Sequence, residues 1–188
     1  MAAKNENKTF SRVTGSQRHD FMARKFKKFS VMAEGYIFQI ASAHSKNYRG
    51  GSWDFFESID GSFYMAPQTP SEFDVCVNSN FFEGKMSSDA YGIVITLYAL
   101  NYLAMDAIDS PLGDYFSDQY HDLRNYALNH SEASTLMGTI DSWILSRLVA
   151  RQLAHAARSS LMRPAARPVW PPVAQAAGWS LKSRAASP

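Results

Sequence analysis

The stretch "GGSWDFFESIDGSFYMAP", residues 50–67, sets Trp53, Phe55 and Phe56 on one side of Asp60-Gly61 and Phe63, Tyr64 and Met65 on the other. Asp-Gly is the favoured dipeptide of a tight two-residue turn, so the spacing predicts an antiparallel hairpin of WDFFES and SFYMA. Successive side chains of a strand point to opposite faces, and adjacent aromatics therefore place rings on both. Such a sheet must be covered on both sides or leave one face as a recognition patch. The rest of the chain has to provide that cover.

Helical periodicity provides it. In FMARKFKKFSVMAEGYIFQIASAH, Met22, Phe26, Phe29, Ala33, Tyr36 or Ile37, and Ile40 recur at steps of three and four, which predicts one amphipathic helix. After Pro67 and Pro70, FDVCVN reads as a third strand. Ser87 is a good N-cap with Asp89 in the following turn, and Ile93, Leu97, Leu100, Ala104 and Ile108 form one stripe, predicting a central buried helix. SPLGD reads as a breaker, YFSDQYHDLRNYALNH as a third helix and EASTLMGTID as a short fourth. The fold class expected is α+β, a small antiparallel sheet of about three strands covered by about four helices, with a basic, partly disordered C-terminal tail.

The net charge of +2 conceals a segregation: residues 1–28 carry +6, residues 29–141 carry −11, and residues 142–188 carry seven Lys/Arg and no acid. Composition breaks after Asp141 into Ala, Arg, Pro and Ser. The organisation expected is a flexible basic N-terminus at 1–19, one domain at 20–141, and an extension at 142–188 that forms a short helix over 143–153 and then runs disordered through its prolines. The single cysteine, Cys76, excludes an internal disulfide and suits a reducing cytoplasm, with a small hydrophobe in a strand as its plain role. The first twenty residues hold no apolar signal core, and IVITLYAL and WILSRLVA are too short to span a bilayer.

No chemistry-bearing motif emerges. The five histidines form no HExxH or HxH, no glycine pattern cradles phosphate, and the acids around the hairpin match no EF-hand. No metal or cofactor is expected. Asp118 and His121 sit three apart on a predicted helix, an orienting geometry used in catalysis but also common on solvated helix faces. No nucleophile motif accompanies them.

Three longer stretches carry more. "YRGGSWDFFESIDGSFYMAP", "NSNFFEGKMSSDAYGIVITLYALNYLA" and "YHDLRNYALNHSEASTLMGTID" resemble, in order and spacing, the ArdB/KlcA family of antirestriction proteins of plasmids, phages and genomic islands. Gly50, Gly51, Trp53, Phe55, Gly61, Phe63, Tyr64 and Pro67 look like its hairpin signature; Gly84, Ser87, Asp89 and Gly92 its helix start; and His121, Arg124, His130, Glu132 and Asp141 its C-terminal signature. Asp60-Gly61-Ser62 stands where Asn-Gly-Gly is usual, and Tyr91 where a small residue is usual.

The resemblance implies a cytoplasmic bacterial protein, not an enzyme, that protects incoming mobile DNA by impairing type I restriction-modification. The partner implied is the restriction complex or an associated host protein, with no sequence-specific DNA binding, no membrane and no set oligomeric state. The expected contact surface is the side bearing Tyr48, Arg49, Ser52 and Asp60 together with the loop 78–88, including Asn80, Glu83, Lys85 and Asp89. Two alternatives stand beside it. An acidic DNA mimic would use the −11 middle segment, although fifteen acids diluted by aromatics fall short of a phosphate row. An uncharacterised hydrolase would use Asp118, His121 and a carboxylate of the sheet.

Overall fold

The aromatic hairpin forms: β2 (Trp53–Ser58) and β3 (Phe63–Pro67) run antiparallel, with Phe55 opposite Met65 and Phe56 opposite Tyr64. The computed structural model describes residues 8–78 and 81–140. The turn is one residue longer than Asp60-Gly61 predicts. The Ser58 amide donates to Ser62 O and the Gly61 amide to Ser58 O, so Ile59, Asp60 and Gly61 form a three-residue loop with only Gly61 left-handed, at φ 90°. A two-residue turn of the predicted type needs positive φ at both positions, and Asp60 does not have it.

A further strand joins from the chain start. β1 (Phe10–Arg12) pairs antiparallel with β2, giving the order β1-β2-β3. Residues 8–19, expected as a flexible basic arm, therefore hold a strand and the short helix α1 (Ser16–His19). Both hairpin faces are covered. On one, Phe21 of α2 (Phe21–Phe26) stacks on Phe55 at 4.4 Å, and Phe26 meets Phe63 edge-on at 5.2 Å. On the other, Phe56 stacks on Tyr64 at 4.7 Å within the sheet, and Tyr126 lies over this face, 4.5 Å from Phe10 and 6.2 Å from Tyr64.

The single helix expected from Met22 to Ile40 is broken. α2 ends at Phe26, Lys27 takes φ 53°, a 3-10 turn covers Lys27–Phe29, and α3 (Ser30–His44) starts afresh. The reason is divided loyalty: Phe26 is held by the sheet, while Phe29 is drawn to Phe116, edge-on at 5.7 Å. One straight helix cannot serve both.

The third predicted strand, β4 (Glu72–Val77), does not extend the hairpin sheet but pairs with β5 (Phe82–Ser87) in a separate two-stranded sheet. The edge of β3 is already occupied by α4 (Ser88–Asp106): the Met65 amide donates to Thr96 Oγ1 at 3.1 Å, and Gly92 lies against the Met65 and Ala66 backbone. A helix covering a sheet edge satisfies its amides and blocks further pairing. β5 occupies what was read as loop; Gly84 interrupts its side-chain pattern, and the Phe82 ring folds over the space where a Cβ would be.

α4 is the buried axis predicted, and Ser87 is its cap, accepting from the Ala90 amide. The stretch read as a breaker instead opens α5 (Pro111–Ala127), with Pro111 in the first turn where its missing N–H costs nothing. Residues 133–140 are helical, as expected for the fourth helix. The architecture is α+β. Asn80, Asp141 and the extension at 142–188 lie outside the described residues. Among the described residues no helix is long and apolar enough to cross a membrane.

Candidate interaction surface

The charge segregation has a tertiary meaning. Lys8 reaches Asp60 at 2.7 Å, Arg12 and Arg18 reach Asp54, and Arg24 and Lys25 reach Glu57 at 3.3 and 2.5 Å. The basic chain start is the counter-charge of the acidic hairpin. Burial alone would raise the pKa of Glu57, but hydrogen bonds from Lys25 and Arg24 outweigh it and hold the carboxyl below its ordinary value. Asp54 and Asp60 are lowered by the same balance, through Gln68 and Arg12 and through Lys8, Ser58 and the Ser62 amide respectively. Asp60 and Ser62, two departures from the family pattern, both contact the Lys8 ammonium.

Several residues expected on the contact surface are framework instead. Tyr48 is 7% exposed, and its hydroxyl accepts from Trp53 Nε1 at 3.1 Å. Asp60 is tied as described, and Lys85 bridges Glu72 at 2.8 Å across the exposed face of the β4–β5 sheet. Asp89 accepts from Tyr64 Oη at 2.8 Å and lies 3.2 Å from His130 Nε2. The Glu132 amide donates to His130 Nδ1 at 3.0 Å, which leaves Nε2 to donate to Asp89. The Ser87 amide donates to Glu132 Oε2 at 3.0 Å. Burial would raise the pKa of Asp89, yet the bonds from His130 and Tyr64 keep it lowered. Burial and then Asp89 push the Tyr64 phenol up. This network clamps the start of α4 to the segment after α5. His121, by contrast, is exposed, and no hydrogen bond joins it to Asp118 among the described residues. Arg124 stands two turns before the clamp on α5 and is half-buried.

Of the residues expected there, Arg49, Gly50, Gly51, Ser52 and Glu83 are exposed, as are Asp60 and Lys85 while paired within the chain. Gly50 at φ 80° and Gly51 at φ 124° occupy backbone regions that disfavour side chains, and they shape a shallow cleft of about 370 Å³ lined by Phe38, Ser42, Tyr48, Arg49, Gly50 and Gly51. The Arg49 guanidinium donates to the Tyr48 carbonyl at 3.2 Å. Sequence periodicity missed the apolar residues of α3 that point outward, since only the inward stripe was sought: Val31 is 82% exposed and Phe38 40%. It also missed Phe81, 93% exposed at φ 56° beside the β4–β5 turn.

The family profile described as "Antirestriction protein" matches residues 46–141, from the glycine cleft to the helix after the Asp89–His130 clamp. The chain belongs to the antirestriction protein family. It is 33% identical to antirestriction protein KlcA of Escherichia coli over 142 residues, covering 75% of this chain and 100% of that one. Another Escherichia coli KlcA is 40% identical over 94 residues, 50% of this chain and 64% of the relative. A solved structure with TM-score 0.67 and 35% identity covers 74% of this chain and 99% of that chain; it was reported to show that KlcA and ArdB have a novel fold and antirestriction activity against Type I DNA restriction systems in vivo but not in vitro. The three signature stretches of this family member thus form the hairpin, the β5–α4 junction and the clamp.

Proposed function

We propose that this antirestriction protein protects incoming DNA by impairing a type I restriction-modification system through non-catalytic protein contact, made around the Arg49–Ser52 cleft and the exposed residues of the β4–β5 hairpin. The observation that carries this reading over DNA mimicry is the fate of the acids. Asp54, Glu57 and Asp60 are neutralised by the chain's own cations, and Glu72 and Asp74 share Lys85, so the acids of the two hairpins are not free charges; the line left on α5, Asp114, Asp118 and Asp122, is three acids long, the last of them 4.0 Å from Lys8 Nζ. A mimic must hold a longer row to displace DNA. The relative's activity in vivo but not in vitro fits the same reading, because a competitor for the DNA groove needs no further cellular component.

The test is plating of unmodified phage on a type I restricting strain with and without this gene. Restored plating is expected; unchanged plating would refute the function. The combined change Glu72→Gln, Asp74→Asn and Asp118→Asn is expected to keep protection, whereas loss of protection from a folded triple variant would make mimicry the better account.

A further inference from the structure

The outer face of α3 is unpartnered among the described residues and carries a distinctive charge frame. Val31, Gly35, Phe38 and Ser42 fall on one line of the helix, opposite the buried Ala33, Ile37, Ile40 and Ala41, and run into the glycine cleft. The line is about 16 Å long at 1.5 Å per residue. Lys27 and Lys28 stand exposed at its start, and Lys46 and Arg49 at its end. Most described cations are paired with carboxylates, as Lys8, Arg12, Arg18, Arg24, Lys25 and Lys85 are. These four reach no carboxylate among the described residues, although Lys27 and Lys28 each lie over an aromatic ring. Across the line between them the single acid is Glu34.

We propose that this face receives a helix of a different protein, amphipathic and acidic at both ends, whose apolar side chains lie along Val31 and Phe38 and enter the glycine cleft. The inference rests on the reading above, in that this partner belongs to the restriction system or its host. Charge selects the occupant. A second copy of α3, in either direction, sets lysines and arginine against lysines and arginine. The chain's own extension at 142–188, with seven Lys/Arg and no acid, offers these four cations no opposite charge. Nucleic acid needs cations along its path rather than an apolar floor between two basic ends. An acid-ended helix meets every element: apolar contact in the middle, opposite charge at each end, and a cleft for a protruding side chain.

Binding is tested on the full-length protein by fluorescence anisotropy with a 14-residue helical peptide carrying a leucine stripe and two Glu at each end, and with the same peptide carrying Lys at the ends. The Glu-ended peptide is expected to bind at least tenfold more tightly, and Val31→Asp and Phe38→Asp each to weaken it at least tenfold with an unchanged circular dichroism spectrum. Val31 is the control for folding, because Phe38 also lies near Trp53 whereas Val31 is almost fully exposed. Equal binding of the two peptides, no effect of Val31→Asp, or binding to anionic phosphatidylglycerol vesicles in place of the peptide would overturn the proposal. In the plating assay, Val31→Asp and Arg49→Glu are expected to lose protection. Protection by both variants sinks the docking face alone, whereas failure of the unaltered protein to protect sinks the functional reading instead.

Discussion

Gly92 lies so close to β3 that a Cβ built on it would stand 2.2 Å from the Met65 carbonyl oxygen and 2.5 Å from the Ala66 Cα. The contact is backbone to backbone, with no flexible side chain to move aside. Gly92→Ala is therefore expected to cost about 3 kcal/mol by forcing α4 away from the sheet edge, measured as a large drop in melting temperature. A melting temperature within a degree or two of the parent would show that α4 does not seat there.

Thr96 completes the same edge. Thr96→Val keeps the shape but removes the acceptor of the Met65 amide, leaving a buried donor unpaired. The expected cost is about 1–2 kcal/mol in urea unfolding, with the slope unchanged.

The cations on the hairpin predict an acid limb. The folded-state pKa values of Glu57 and Asp54 are depressed below their ordinary values. The folded state thus binds fewer protons, and the stability these groups confer is present above the ordinary carboxylate range and lost as pH falls through the depressed values. Unfolding free energy is expected to fall as pH drops below about 4, and Glu57→Gln to lower stability at pH 7 by about 2 kcal/mol while flattening that slope. An identical slope in the variant would remove Glu57 from the account.

Gly61→Ala is expected to cost about 1 kcal/mol, because an L-residue at φ 90° is strained although open space surrounds the position. Thermal unfolding compared with Gly35→Ala, a helical glycine with equally open surroundings, separates backbone strain from crowding.

Tyr91 anchors the start of α4 in the core. Its ring is fully buried, stacked on Phe73 at 4.2 Å, and its hydroxyl donates to the Ala41 carbonyl at 2.6 Å. Tyr91→Phe is expected to cost about 1 kcal/mol and Tyr91→Ala about 3–5 kcal/mol, read by chemical denaturation. A near-neutral alanine would mean that the surroundings collapse into the cavity.

Local chemistry alone determined the hairpin strands, the Ser87 cap, the buried stripe of α4 and the three signature stretches. Each depends on neighbours within a few residues: alternation, a hydroxyl three residues before an amide, apolar side chains at steps of three and four. What local pattern cannot contain is a choice made by a distant partner. Lys27 breaks a periodic helix because Phe26 and Phe29 answer to Phe63 and Phe116. β4 leaves the hairpin because Thr96 and Gly92 already hold its edge. Lys8, Arg12 and Lys25 are held in place because Asp60, Asp54 and Glu57 wait for them more than thirty residues away. The candidate surface divides in the same way. Its glycines and Arg49 were legible in sequence, but the exposure of Val31 and Phe38 and, among the described residues, the lack of carboxylate partners at the ends of α3 are set by which side of that helix the core claims, a matter of three-dimensional packing that periodicity does not decide.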